Sequence, residues 1–194
     1  MIKHYDKVVI LTKEDTYISL EQWQQRYEPE VHSDQIGKYF RFTEGKFLAD
    51  IERYGKLIVC EPLMLIMDEY RKLKGEPVKV NAYNRDDKKQ QELHEQGFRT
   101  AQFSPHVEKM AVDMDTLSIQ DTYTQLPILR KACWNLGFGY RIGWKQYLEN
   151  VDKDGKPAPQ TFLHLDVAPH YYASGKARHE EKHPSAWEIN KLEW

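Results

Sequence analysis

Three side chains of metal-binding type occur in segments of different local character. His106 lies in a stretch with loop composition, whereas Asp113 interrupts an otherwise apolar stretch, residues 110–115, that alternates like a strand. His164 lies in a second alternating stretch, residues 161–168. Two imidazoles and one carboxylate suit Zn²⁺, and three protein ligands leave a fourth position for water, as in catalytic sites. The sequence therefore predicts a zinc site with hydrolytic chemistry at His106, Asp113 and His164.

The alternation of these two stretches predicts which side chains share a face, because successive side chains of a strand point to opposite sides. The apolar faces comprise Met110, Val112 and Met114 in the first stretch and Leu163, Leu165 and Val167 in the second. The other faces comprise Ala111, Asp113 and Asp115, and Phe162, His164 and Asp166. Asp166 thus shares a face with His164, where it can act as a general base or orient a ligand imidazole. Both roles stay open.

Four short motifs around these residues occur in the order found in one known family. Residues 104–113 resemble the signature SxHxxGxAxD, with Lys109 in place of the glycine. Residues 81–85, Asn-Ala-Tyr-Asn-Arg, resemble SGYRS with Asn84 inserted. Residues 137–140 and 162–167 resemble the ending GxGYY…FVHVD. Over residues 62–167 the chain therefore resembles the zinc D-alanyl-D-alanine carboxypeptidases, whose relatives include the hedgehog signalling domain and some phage endolysins.

The resemblance implies a role for each matching residue. His106, Asp113 and His164 would hold zinc as the sole cofactor, and the ion would lower the pKa of its bound water to roughly 7. Arg85 would stabilise charge on the scissile carbonyl oxygen. Several relatives carry an acid three residues before the last histidine, but that position here is Thr161. The resemblance therefore assigns no base, and Asp166 is the candidate.

The resemblance also implies a substrate, the peptides of bacterial cell-wall peptidoglycan. A zinc metallopeptidase of this kind would act as a carboxypeptidase, a dipeptidase or an endolysin-like endopeptidase. The alternative is a non-catalytic, zinc-stabilised interaction domain of the same fold, as hedgehog-type relatives show. Thr161 and Lys109 favour that alternative modestly, because both depart from the catalytic pattern.

A second zinc motif, HExxH, occurs at residues 179–183. That motif requires a helix, so that the two imidazoles lie one turn apart, and a third ligand further along the chain. Pro184 follows directly, the stretch has no apolar face, and no histidine follows it. We interpret residues 179–183 as a solvated charged segment.

The elements that must position the site indicate an α+β domain, a small and mostly antiparallel sheet with helices on one side, like the hedgehog and D,D-peptidase fold. Apolar spacing and caps predict helices at residues 19–27, 61–74, 86–96 and 127–136. Alternation predicts strands at residues 8–11, 78–83, 110–115, 139–144 and 161–168. Residues 28–46 have no regular pattern. We expect an N-terminal extension packed on the core at 1–60, the zinc peptidase core at 61–172 and a tail at 173–194.

Bulk composition limits the partners. The 194 residues carry a net charge of −2, which gives no electrostatic case for nucleic acid. No stretch approaches the ~20 apolar residues that span a bilayer, and no signal peptide is visible. We expect synthesis in the cytoplasm, action on the cell wall after phage or prophage release or other export, and a monomer. Cys60 and Cys133 lie in apolar stretches and are interpreted as buried free thiols.

Overall fold

The computed structural model describes residues 4–27, 33–96, 104–152, 154–171 and 187–190. Its larger sheet has five antiparallel strands in the order β4-β5-β7-β6-β8. The strands are β4 (Val80–Ala82), β5 (Ala111–Asp115), β6 (Tyr140–Gly143), β7 (Phe162–Asp166) and β8 (Trp187–Asn190). The strand β8 pairs with β6, so part of the predicted tail extends this sheet. Every predicted strand of the larger sheet is present, each with shorter bounds than the alternation suggested.

A smaller sheet of three strands lies nearer the N-terminus. Its central strand β1 (Val8–Leu11) pairs antiparallel with β2 (Tyr17–Ser19) and parallel with β3 (Leu57–Cys60). The apolar stretch at 57–60 is thus a strand that the sequence analysis did not predict. Buried side chains of both sheets belong to one continuous apolar core.

Seven α-helices complete the described part of the chain. They are α1 (Leu20–Tyr27), α2 (Gly45–Tyr54), α3 (Glu61–Lys74), α4 (Asp87–Glu95), α5 (Ile119–Leu136), α6 (Lys145–Leu148) and α7 (Ala168–Tyr171). The helix α1 begins where the Ser19 hydroxyl accepts a hydrogen bond from the Gln22 backbone N–H, as the predicted cap requires. The helix α3 ends at Gly75, which adopts φ 76°. Together the sheets and helices confirm the α+β class.

Two helices differ from the sequence predictions. The helix α5 begins at Ile119, eight residues before the predicted start at Pro127, because Ser118 caps it by accepting from the Asp121 N–H. Pro127 therefore lies inside the helix. The helix α2 at Gly45–Tyr54 was not predicted, because residues 28–46 have no regular sequence pattern and α2 begins at their end.

The apolar face of the large sheet packs towards α5, which also lies against α3. Its buried side chains include Val112, Met114, Leu163 and Leu165. No helix in the described ranges is long and apolar enough to cross a membrane. Cys60 and Cys133 are buried free thiols, as expected. The proposed boundaries at residues 60 and 172 stay predictions, and the segment at 172–186 lies outside the described residues.

Candidate metal centre

The pairing of β5 with β7 brings two of the predicted ligands together. In this antiparallel pair Asp113 stands directly opposite His164, and Ala111 stands opposite Asp166. Directly opposed residues have Cβ atoms about 4.5–5.5 Å apart, close enough to share one ion. On the other side of β7, the cross-strand partner of His164 is Gly143, which has no side chain. The register therefore places the carboxylate and the imidazole on one face, as the alternation predicted.

The third predicted ligand comes from the turn at residues 104–110, which leads into β5. The Met110 N–H donates to the Pro105 carbonyl and closes this turn. Lys109 adopts φ 66°, the left-handed conformation that glycine tolerates best. The Lys109 ammonium donates to the Arg85 carbonyl, so this side chain ties the turn that carries His106 to the segment after β4.

His106, Asp113 and His164 form one buried cluster, with only 3%, 8% and 3% of their surfaces exposed. Asp113 lies between the two imidazoles. His164 Nδ1 donates to Asp113 Oδ1 at 2.7 Å, and His106 Nε2 lies 3.2 Å from Asp113 Oδ2. Candidate ligand atoms of all three residues lie within 4.8 Å of one another. The two rings meet at 72° with centroids 5.1 Å apart.

The donor set fits a divalent ion. The atoms around a tetrahedral zinc stand about 3.3 Å apart when each ligand lies ~2.0–2.1 Å from the metal. His106 Nε2 is buried and has no hydrogen-bond partner, which is costly for a polar atom unless something else binds it. Two neutral nitrogens and a carboxylate oxygen are the donors that zinc prefers. The cluster can therefore hold zinc through His106 Nε2, Asp113 and His164 Nδ1.

A backbone carbonyl that the sequence analysis missed orients His106. The His106 Nδ1 lies 2.7 Å from the Tyr83 carbonyl oxygen, which can only accept, so Nδ1 carries the proton. The other ring nitrogen, Nε2, faces Asp113 and is the one that can bind a metal. Tyr83 is itself fixed, because its buried hydroxyl accepts from the Cys60 backbone N–H. The Tyr83 carbonyl thus binds the ring nitrogen that faces away from Asp113, and such a contact sets the tautomer of an imidazole that binds a metal.

A second partner that the sequence analysis missed is Arg141 on β6. Its guanidinium donates Nε and Nη2 to both carboxylate oxygens of Asp166, at 2.9–3.1 Å. Asp166 Oδ1 also accepts from the Ala168 N–H, and Oδ2 lies 3.5 Å from His164 Nε2. Arg141 and Asp166 are cross-strand partners, 2% and 0% exposed. The alternation could have indicated Arg141, since a charged residue within an apolar strand needs a partner.

The charges of the cluster are mutually dependent. Burial by itself would raise the pKa of Asp113, but the neighbouring His106 and His164 lower it far below its ordinary value. Burial would likewise lower the pKa of His164, but hydrogen bonds to Asp113 and Asp166 outweigh it and raise that pKa to about 8. Burial also disfavours the charged form of Asp166, and the Arg141 charge overrides this and lowers the pKa. Without metal, the centre at neutral pH therefore contains two carboxylates and a protonated His164.

The other predicted residues lie elsewhere or beyond the described ranges. Arg85 is half-buried, and its guanidinium donates to Gln90 Oε1 on α4. Its backbone N–H donates to the His106 carbonyl, so its main chain adjoins the ligand turn. His170 donates from Nε2 to the Lys13 carbonyl at 3.0 Å. The HExxH segment at 179–183 lies outside the described residues.

The raised pKa of His164 predicts that metal binding releases a proton. At pH 7 the metal-free His164 is protonated, and its Nδ1 must lose that proton to bind zinc. We expect His164 to release about one proton per ion at pH 7, in addition to the proton lost by metal-bound water, and less above pH 8, so that zinc affinity rises less steeply with pH above 8. Calorimetric titration in buffers of different ionisation enthalpy measures this. Proton release that does not decline above pH 8 would contradict the assignment.

Comparisons with known proteins add little to this geometry. The chain matches no model of a known protein family. It also matches no curated protein. Among solved structures it is similar to the L-Ala D-Glu endopeptidase ChiX of Serratia marcescens, with 18% identity, covering 59% of this chain and 84% of that one, at a TM-score of 0.44. A likeness this distant carries no argument about activity, so the functional case depends on the residues of this chain.

Proposed function

We propose that this chain is a zinc-dependent peptidase that hydrolyses peptides of bacterial peptidoglycan. The observation that carries the proposal is the buried cluster of His106, Asp113 and His164, whose ligand atoms lie within 4.8 Å of one another. A bound zinc ion supplies a Lewis acid and lowers the pKa of coordinated water, the chemistry that amide hydrolysis needs. Three protein ligands leave a coordination position free, which is typical of catalytic sites.

The surrounding residues orient the ligands. The Tyr83 carbonyl holds the proton of His106 on Nδ1 and leaves Nε2 for the metal. Asp166 faces His164 Nε2, and we propose that it orients this imidazole rather than accepting a proton from water. Both oxygens of Asp166 already accept from Arg141, and the pKa of Asp166 is lowered, which makes it a weak base.

Arg85 is proposed to stabilise the negative charge that develops on the scissile carbonyl oxygen. Its backbone adjoins the ligand turn through the hydrogen bond to the His106 carbonyl. To reach substrate, its guanidinium must exchange the bond to Gln90 for one to the peptide.

The substrate class rests on the four motifs of residues 62–167 that resemble the D-alanyl-D-alanine carboxypeptidases. Peptidoglycan stem peptides and cross-links are the substrates that this resemblance implies. Cleavage at a chain end and cleavage within a cross-link are both compatible with it, and the products distinguish them.

Metal removal tests the proposal directly. The purified chain is incubated with peptidoglycan fragments, and products are identified by mass spectrometry before chelation, after chelation and after addition of zinc. We expect cleavage that chelation abolishes and stoichiometric zinc restores. Stoichiometric zinc without cleavage would instead establish the non-catalytic interaction domain, and cleavage that survives complete metal removal would refute the zinc mechanism.

A further inference from the structure

One peptide group connects the ligand His106 to a buried carboxylate on α2. The carbonyl of Tyr83 accepts from His106 Nδ1 at 2.7 Å. The N–H of Asn84, which belongs to the same peptide group, donates to Asp50 Oδ2 at 2.9 Å. The Asp50 carboxylate and the His106 imidazole therefore lie at the two ends of one planar, conjugated amide.

The groups around this peptide leave it little freedom. Asp50 is fully buried, and its Oδ1 forms an ion pair with Lys46 Nζ at 2.9 Å, one turn earlier in α2. The Asn84 side chain, in the amide orientation that satisfies both atoms, pairs with the N–H and carbonyl of Ile58 at 3.0 and 3.1 Å. Tyr83 is anchored by its hydroxyl to Cys60. The two residues that share this peptide group, Tyr83 and Asn84, are thus both hydrogen-bonded to β3 through their side chains.

We propose that Asp50 is a positioning residue of the metal centre, acting on His106 through the Tyr83–Asn84 peptide group. A carboxylate that accepts from the N–H of an amide polarises that amide and makes its carbonyl oxygen a stronger acceptor. The stronger acceptor draws the Nδ1 proton of His106 and increases the basicity of Nε2 as a ligand. A carboxylate bound directly to a ligand imidazole has the same effect, and here a peptide bond transmits it.

This inference rests on the proposed metal centre. It gives Asp50 an effect on metal binding, whereas a purely structural residue would affect only the stability of the fold. Asp68 provides the comparison, because it is also a buried carboxylate on a helix, 6% exposed, that accepts backbone N–H groups. Its partners are Lys38 N at 2.7 Å and Tyr39 N at 3.1 Å, in the segment before α2. Asp68 thus also fixes backbone N–H groups, but these do not belong to a peptide group that binds a candidate metal ligand.

The variants Asp50→Asn and Asp68→Asn separate the two roles. Each keeps the shape of the side chain and removes its charge. We expect Asp50→Asn to weaken zinc affinity about tenfold, the lower part of the range for outer-shell partners. Asp68→Asn should lower the melting temperature without changing zinc affinity. Affinity is measured by chelator competition at one pH, well below each melting temperature, and corrected for the folded fraction.

A measurement on the wild-type protein covers the case in which Asp50→Asn does not fold. The amide proton of Asn84 should shift in the NMR spectrum when zinc is added, because the ion polarises the peptide through His106. The amide of Tyr39, bound to Asp68, should stay in place. An Asn84 amide that is insensitive to zinc, or equal affinities of wild type and Asp50→Asn, would overturn the inference alone. A wild-type chain that binds no zinc would overturn the proposed function as well.

Discussion

The variant His106→Ala should lose stoichiometric zinc and, with it, peptide hydrolysis. Loss of an outer-shell partner weakens metal affinity about 10–100-fold, so loss of one of three ligands should exceed about 100-fold. The substitution also leaves the Tyr83 carbonyl without its present partner and removes the imidazole next to Asp113 Oδ2. Zinc content after dialysis, by elemental analysis, and hydrolysis of peptidoglycan fragments measure the two effects.

His94→Ala is the matched control for that experiment. His94 lies in the last turn of α4, outside the cluster of ligand atoms. We expect this variant to keep the zinc content and activity of the wild type. Circular dichroism of both variants would show whether each one is folded. Full zinc content together with full activity in His106→Ala would remove the basis of the peptidase proposal.

The variant Arg141→Met should destabilise the fold by about 3–5 kcal/mol, because it leaves the buried Asp166 carboxylate without its cation. Arg141 and Asp166 are 2% and 0% exposed, and the guanidinium binds both carboxylate oxygens. Urea unfolding of the metal-free protein above pH 8 measures the loss. At that pH His164, whose pKa is raised to about 8, is mostly neutral and offsets little of the negative charge of Asp166.

Two further variants show whether the loss arises from the unpaired charge. Lys79→Met removes one partner of the ion pair Lys79–Asp115, which is 2.7 Å long but has an 81% exposed lysine, and we expect a loss of at most about 1 kcal/mol. The double variant with Asp166→Leu should recover much of the stability lost in Arg141→Met, since an apolar pair can replace a buried ion pair. A loss in Arg141→Met no larger than that in Lys79→Met would contradict this account.

The sequence by itself determined the faces of the strands that carry the candidate ligands, and the ends of some helices. The alternation of residues 110–115 and 161–168 placed Asp113, His164 and Asp166 on polar faces, and the pairing of β5 with β7 has them there. The cap at Ser19 and the glycine at 75 marked helix ends, because these signals act within a few residues of the backbone they satisfy. Ligand types and motif order also selected the three residues of the metal centre.

Only the tertiary structure decided how the centre is supported. The pairing of Arg141 with Asp166 depends on which strand neighbours β7, and periodicity specifies faces but not neighbours. The link from Asp50 to His106 joins α2, the end of β4 and the ligand turn through a backbone peptide, which no side-chain pattern encodes. The early start of α5 is different, because the Ser118 cap is a local signal in the sequence that the proline at 127 obscured. Local signals, such as helix caps and the alternation of strands, can be read from the sequence. Contacts between distant segments form only when the sheets and helices pack together.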